Sequence, residues 1–167
     1  QTCALPILSL TFHTNFGDLK IELFCELIPK NCENFLALCA SGYYDNTKFH
    51  RNVKGVFIQG GDPTGKGKGG ESISGEPVED EFNPNVKFDR RGIVAMAKQH
   101  PNTNKSQFYI IYDKQPQLDM VDTAIGKVIY GMDTLKAMEN VPVNEKYRPT
   151  QDILIRSVTV HANPFAP

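Results

Sequence analysis

Apolar residues at every second position open this chain. Leu8, Leu10 and Phe12 alternate with Ser9, Thr11 and His13, and after the turn-forming Asn15-Phe16-Gly17-Asp18 the rhythm resumes at Leu19, Ile21 and Leu23. A period of two gives a strand one apolar and one polar face, so this segment predicts a β-hairpin with one side buried. The rhythm then turns helical. Cys32, Phe35, Leu36 and Cys39 fall at i, i+3, i+4 and i+7, with Pro29 suited to the first turn and Gly42 to the end. Further strands are predicted at 49–53, 56–59, 93–97, 107–112 and 124–129, and Met132, Leu135 and Met138 predict a short second helix after Gly131. Ile153 and Ile155 are out of phase with Val158 and Val160, which predicts a last strand carrying a bulge. The stretch 60–85 is rich in glycine, proline and acids and predicts a long ordered loop.

With one helix early and one late, the strands do not alternate with helices, so a doubly wound α/β sheet is disfavoured. The fold predicted is mainly β: a closed eight-stranded antiparallel β-barrel capped by two α-helices. A chain of 167 residues suits one domain, placed at 8–167, and can bury a core without staples. Eighteen basic residues against nineteen acidic ones give a formal charge of −1. No strong basic field exists, so neither direct nucleic-acid binding nor attachment to an anionic membrane is expected. No apolar run approaches the roughly 18 residues that a spanning helix needs.

The four cysteines, Cys3, Cys25, Cys32 and Cys39, form no CxxC pair and have no histidine at zinc spacing. They read as core thiols in a reducing compartment, cytoplasmic or nuclear, with no metal and no cofactor expected. Gln1 to Ile7 matches what a common sequencing-library adapter end encodes in one frame. It is expected to be a non-native leader; a truncated signal-peptide core ranks second, because no basic n-region or cleavage site accompanies it.

Two glycine motifs tempt a nucleotide-binding reading. Gly60-x-x-x-x-Gly65-Lys66 is followed by Gly67 where a P-loop needs Ser or Thr for Mg²⁺, and Pro63 removes a backbone donor. Gly65-x-Gly67-x-x-Gly70 lacks the strand–turn–helix context of a dinucleotide site. Both read instead as a loop that needs positive φ angles. The acidic run Glu79-Asp80-Glu81 reads as a solvated loop or an edge of the barrel.

Other strings are far from generic. Phe49-His50-Arg51, Gly55, Gln59-Gly60-Gly61-Asp62, Pro101-Asn102-Thr103-Asn104, Ser106-Gln107-Phe108, Leu118-Asp119 and Gly126-Lys127-Val128 occur in this order. Together they closely resemble the cyclophilins, the peptidyl-prolyl cis-trans isomerases built on a β-barrel with two helices. The resemblance runs from Leu8 to the carboxyl end. Cys32-Glu33-Asn34-Phe35-Leu36-Ala37-Leu38-Cys39-Ala40-Ser41 and the ending His161-Ala162-Asn163-Pro164-Phe165-Ala166 resemble a narrower group. These are the small single-domain cyclophilins called peptidyl-prolyl isomerase-like type three, which are linked to the spliceosome.

An X–Pro amide rotates over tens of seconds because its C–N bond has partial double-bond character. No bond needs to break, so a catalyst has to bind the twisted amide better than either planar form. Going from tens of seconds to milliseconds is about 10⁴-fold, or roughly 5.5 kcal/mol. A planar, always-charged guanidinium can hydrogen-bond the twisted amide and supply much of that. The resemblance implies that Arg51 is this residue and that Gln59 and Gln107 orient it and the substrate backbone. It implies a proline slot at Val56, Phe57, Tyr109, Leu118 and Asp122, with Ala97, Lys98 and Gln99 bordering the substrate chain and Gly67 in the bordering loop. Gln117 stands where many cyclophilins carry a Trp associated with tight cyclosporin binding, so weak cyclosporin binding is expected.

The pattern also departs from the family. Val56 replaces a Phe, at a cost of about 1–3 kcal/mol of apolar contact, and strand alternation makes the adjacent Phe57 a poor substitute. Tyr109 adds a hydroxyl that must find a partner. Asp122 places an anion near the groove that can pair with Arg51 and blunt it. Lys98, Gln99 and His100 replace Asn, Ala or Asn, and Gly. The expectation is a monomeric isomerase with reduced or altered activity on proline-containing segments, with spliceosomal proteins as implied partners. The alternative is a module that binds such segments, or serves a splicing assembly, without useful turnover.

Overall fold

The computed structural model describes residues 8–161; the expected leader at 1–7, with Cys3, and the ending after His161 lie outside the described residues. The strands are β1 (Ser9–Thr14), β2 (Gly17–Leu23), β3 (Thr47–Lys48), β4 (Arg51–Val53), β5 (Phe57–Gly60), β6 (Ile93–Met96), β7 (Phe108–Ile111), β8 (Ala124–Tyr130) and β9 (Leu154–His161). The helices are α1 (Pro29–Ala40) and α2 (Met132–Glu139). The opening hairpin is present as predicted, with Leu10 opposite Ile21 and Phe12 opposite Leu19, all four fully buried. The phase slip near the carboxyl end is a bulge. Thr14 pairs with Ile155 and His13 with Ser157, so Arg156 is the extra residue.

The strands form one strongly curled antiparallel sheet in the order β3-β9-β1-β2-β8-β6-β7-β5-β4. This corrects the expected closed ring of eight. Of the segment predicted as a strand at 49–53, only Arg51–Val53 (β4) lies in the sheet, paired with β5; β3, Thr47–Lys48, comes just before it and pairs with β9, so one stretch of chain supplies both end strands of the sheet. Among the described residues no ladder joins β3 to β4; the chain itself brings the two edges together.

Inside the curl, Phe12, Phe35, Tyr44, Phe49 and Phe108 pack with ring centroids 5.3–6.4 Å apart, several edge to face. Phe35 brings α1 onto this cluster, with Cys32 and Cys39 buried on the same helix. Burial pushes the Cys39 thiol well above its ordinary pKa, as expected of a core thiol. α2 starts at Gly131, whose φ of +105° favours glycine; a Cβ there would run into the Asp18 carbonyl.

The acidic run is not the solvated segment its composition suggested. No side chain caps α1 from within, and the Glu81 carboxylate does so from across the fold, accepting the backbone N–H groups of Lys30 (3.0 Å) and Asn31 (2.7 Å). Asp80 is buried against Lys98, and Glu79 pairs with Lys30 at the surface. Folding turns this run inward because the helix end and the lysine both need an anion.

Candidate active site

Cross-strand register sets out the site. Arg51 of β4 lies opposite Gln59 of β5, Gln59 opposite Tyr109 of β7, and Tyr109 opposite Ala95 of β6. Directly opposed residues share a face, with strands about 4.8 Å apart, so these side chains stand in one row on one side of the sheet. Phe57 is two residues from Gln59 and joins that face. Its ring centroid is 5.7 Å from that of Tyr109 and 5.9 Å from the Arg51 guanidinium carbon.

The Arg51 guanidinium also lies 5.1 Å from the ring centre of Tyr147. Tyr147 is held there by its carbonyl, which accepts the backbone N–H of Asn52 (2.9 Å). Among the described residues Arg51 enters no ion pair. The cation is exposed, flanked by two aromatic rings and available to an incoming acceptor.

The two glutamines form a relay. The Gln59 amide donates to Gln107 Oε1 (2.8 Å), and the Gln107 amide donates to the Gly69 carbonyl (2.8 Å). The Gln107 carbonyl accepts the Ala97 N–H (2.9 Å). Gln107 therefore ties β7, the segment after β6 and the glycine loop to one point. That loop encircles a carboxylate and not a phosphate. Asp62, 0% exposed, accepts the N–H groups of Thr64 (2.9 Å), Gly67 (2.6 Å) and Gly69 (3.1 Å) and the Thr64 hydroxyl (2.9 Å). Burial alone would raise the Asp62 pKa, but these donors outweigh it and hold the carboxyl below its ordinary value. Arg148 secures the loop from outside through the carbonyls of Gly65 and Lys66. Gly67 has φ +96°, and a Cβ there would stand 3.2 Å from the His50 ring. His50 itself is buried, and desolvation lowers its pKa despite the nearby Asp62.

Beside the relay is a cavity of about 240 Å³ lined in part by Gln59, Gln107, Gly67, Ala97, Lys98 and Gln99. The predicted site residues thus fall into connected sets: Arg51, Gln59, Phe57 and Tyr109 on one face, and Gly67, Ala97, Lys98 and Gln99 around the cavity that the glutamines share. Leu118, in a one-turn 3₁₀ helix at Pro116–Leu118, is half-buried against the core. Gln117 is exposed and donates to the Gln115 side chain (2.6 Å). Val56 closes the β4–β5 turn, its N–H donating to the Val53 carbonyl, and is 37% exposed. It precedes the strand, so alternation does not set it against Phe57, and Phe57 is the residue whose ring reaches Arg51.

Asp122 does not neutralise Arg51. Its carboxylate accepts the Tyr109 hydroxyl (2.5 Å) and faces the Lys98 ammonium at 3.6 Å. The phenol that needed a partner and the anion that threatened the arginine satisfy one another. Burial, followed by the Asp122 charge and hydrogen bond, pushes the Tyr109 pKa far up, so the phenol stays a donor.

A family model, cyclophilin type peptidyl-prolyl cis-trans isomerase, matches residues 9–160. The chain belongs to the cyclophilins. It is 59% identical over 160 residues to peptidyl-prolyl cis-trans isomerase-like 3 of Rattus norvegicus and to that of Homo sapiens, with 95% of this chain and 99% of each relative covered. It is similar to the crystal structure of a Cryptosporidium parvum cyclophilin type peptidyl-prolyl cis-trans isomerase, with TM-score 0.91 and 52% identity over 95% of this chain and 99% of that one. A second structure of that isomerase, in the presence of the dipeptide Ala-Pro, matches with TM-score 0.89 and 53% identity over 93% of this chain and 99% of that one.

Within this cyclophilin, sequence reading missed Asp62 as the organiser of the glycine loop, and Tyr147 and Arg148 as supports of Arg51 and that loop. Asp62 was visible as part of Gln59-Gly60-Gly61-Asp62 but carried no assigned role. Tyr147 and Arg148 gave no signal of the site, because the loop that carries them is folded by its own turn, in which Asn144 Oδ1 accepts the Lys146 and Arg148 N–H groups, and meets Arg51 only in the tertiary structure.

Proposed function

We propose that this protein catalyses cis–trans isomerisation of X–Pro bonds in protein segments, with Arg51 holding the twisted amide. The observation that carries this reading is the Arg51 guanidinium, unpaired among the described residues and directly opposite Gln59, on a face whose neighbours are aromatic. As the prolyl nitrogen pyramidalises it gains a lone pair, and a fixed donor that meets it only in the twisted state lowers the barrier selectively. Gln59 and Gln107, held by their mutual hydrogen bond, orient the substrate backbone. Phe57, Tyr109 and Leu118 offer the proline ring its apolar surface, with Val56, Gln117 and Asp122 at the rim. Gly67, Ala97, Lys98 and Gln99 border the remainder of the peptide. The similar Cryptosporidium structure determined in the presence of Ala-Pro supports a proline-containing ligand.

Arg51→Ala is expected to lower kcat/KM on a short X–Pro peptide by about 10²- to 10³-fold, as the loss of one charge-assisted donor would. Unchanged turnover with an intact fold would overturn the reading. The wild-type rate is expected to be modest, because Val56 leaves the slot less walled than a Phe would. The same peptide used in a binding titration distinguishes an isomerase from a module that only holds proline segments.

Resemblance to the type-three group supports a monomer in the cytoplasm or nucleus that works on spliceosomal proteins. Recovery of splicing proteins with the tagged protein from nuclear extract would bear on that.

A further inference from the structure

Three residues that depart from the cyclophilin pattern, Lys98, Tyr109 and Asp122, form one connected group on the far side of the site from Arg51. The Lys98 ammonium, 12% exposed, donates to Asp80 Oδ2 (2.8 Å) and to the Val121 carbonyl (2.6 Å), faces Asp122 Oδ1 (3.6 Å), and lies 5.9 Å from the Phe82 ring centre. Asp80, 5% exposed, is anchored by the Asn102 N–H (3.1 Å) and the Asn104 amide (3.0 Å). Burial would raise the Asp80 pKa, but the Lys98 hydrogen bond and these donors prevail and hold it ionised. Asp122 in turn accepts the hydroxyl of Tyr109, the residue that stands in the row with Gln59 and Arg51.

Asp122 is therefore a carboxylate on the wall that faces the arginine, and Lys98 is the cation set against it. The charged and titratable groups around Asp122 are Lys98 from the segment after β6, Tyr109 from β7, and Asp80 and Glu81 from the long loop; Glu81 is occupied by the N–H groups of α1. None of the others supplies a positive charge. Without Lys98, Asp80 and Asp122 would lose the cation they share, and their field would oppose the charge with which Arg51 grips the substrate.

We propose that Lys98 is a positioning residue for the isomerisation: it cancels the Asp122 field at Arg51 and pins the Val121–Asp122 segment, so that Tyr109 can serve as an apolar wall. This rests on the reading of Arg51 above. A single lysine thus makes an otherwise damaging pair, a phenol and a carboxylate, compatible with the slot.

The test compares the wild type, Lys98→Met, and Lys98→Met with Asp122→Asn, each with a thermal melt to confirm folding. Prolyl isomerisation and affinity for the same X–Pro peptide are measured at neutral pH. Lys98→Met is expected to lose about three- to tenfold in kcat/KM at neutral pH, the size of one unscreened charge at roughly 10 Å. Adding Asp122→Asn should restore part of the lost kcat/KM, because it removes the charge that Lys98 had cancelled.

Wild-type-like activity in Lys98→Met would overturn the proposal. So would a loss that Asp122→Asn does not relieve, which would make Lys98 a structural anchor only. If the wild type itself lacks turnover, the reading of Arg51 as a catalytic residue fails first. The peptide affinities, which follow the same Arg51 field, then decide the role of Lys98 by the same pattern.

Discussion

Asp62→Asn keeps the size of the side chain and removes the charge around which the glycine loop is wound. The carboxylate accepts the N–H and hydroxyl of Thr64 and the N–H groups of Gly67 and Gly69. An asparagine has one carbonyl oxygen. Turned toward Thr64, it sets its own NH₂ against the Gly67 and Gly69 donors, leaving two buried N–H groups without an acceptor. Hydrogen bonds to an ionised acceptor contribute about 1.5–3 kcal/mol each. Relief of the desolvated charge and some access of water to the loop bring the expected loss to about 2–4 kcal/mol. At about 2–4 °C per kcal/mol for a domain of this size, the melting temperature should fall by about 5–15 °C.

The pH dependence has a definite sign. The native carboxyl sits below its ordinary pKa, so its stabilisation is complete above that ordinary value and fades as pH falls through the lowered native value. Wild type and variant should therefore differ most at neutral pH and converge below about pH 4. Calorimetric melts from pH 7 to pH 2.5 read both quantities. A variant that melts within about 1 °C of wild type at pH 7, or a gap that does not narrow in acid, would refute the idea that Asp62 organises the loop. Because the Gly69 carbonyl receives the Gln107 amide, the variant should also lose isomerase activity at temperatures where it is still folded.

Tyr147→Ala removes the ring 5.1 Å from the Arg51 guanidinium; an exposed cation–π contact of about 0.5–1 kcal/mol predicts a two- to fivefold fall in kcat/KM, read by the peptide assay with melting temperature as the control. Cyclosporin should bind weakly, because Gln117 is exposed and tied to Gln115 and offers no aromatic surface; a calorimetric titration showing nanomolar affinity would contradict this.

Much of this protein was legible in local pattern. A two-residue apolar period has one satisfactory outcome when a face must be buried, so the opening hairpin could be read from Leu8 to Leu23, and the phase slip near Arg156 announced a bulge. Helical spacing set Cys32, Phe35 and Cys39 on one buried stripe. The motif strings around Arg51, Gln59 and Gln107 marked the centre of the site through resemblance. Neighbours along the chain decide such features, and a sequence displays its neighbours directly.

What tertiary structure alone decided are the encounters between segments far apart in the chain. Register across β4, β5 and β7 put Arg51, Gln59 and Tyr109 in one row. The break at Phe49-His50 set β3 and β4 at opposite ends of the sheet, turning an expected ring of eight into a curled sheet of nine. The fate of each carboxylate was settled in the same way: Asp62 went to the glycine loop, Glu81 to α1, Asp80 to Lys98 and Asp122 to Tyr109 and Lys98, away from Arg51. A charge excluded from water takes the donor that the fold brings within about 3 Å, and that distance is set by the packing of elements which are strangers in sequence.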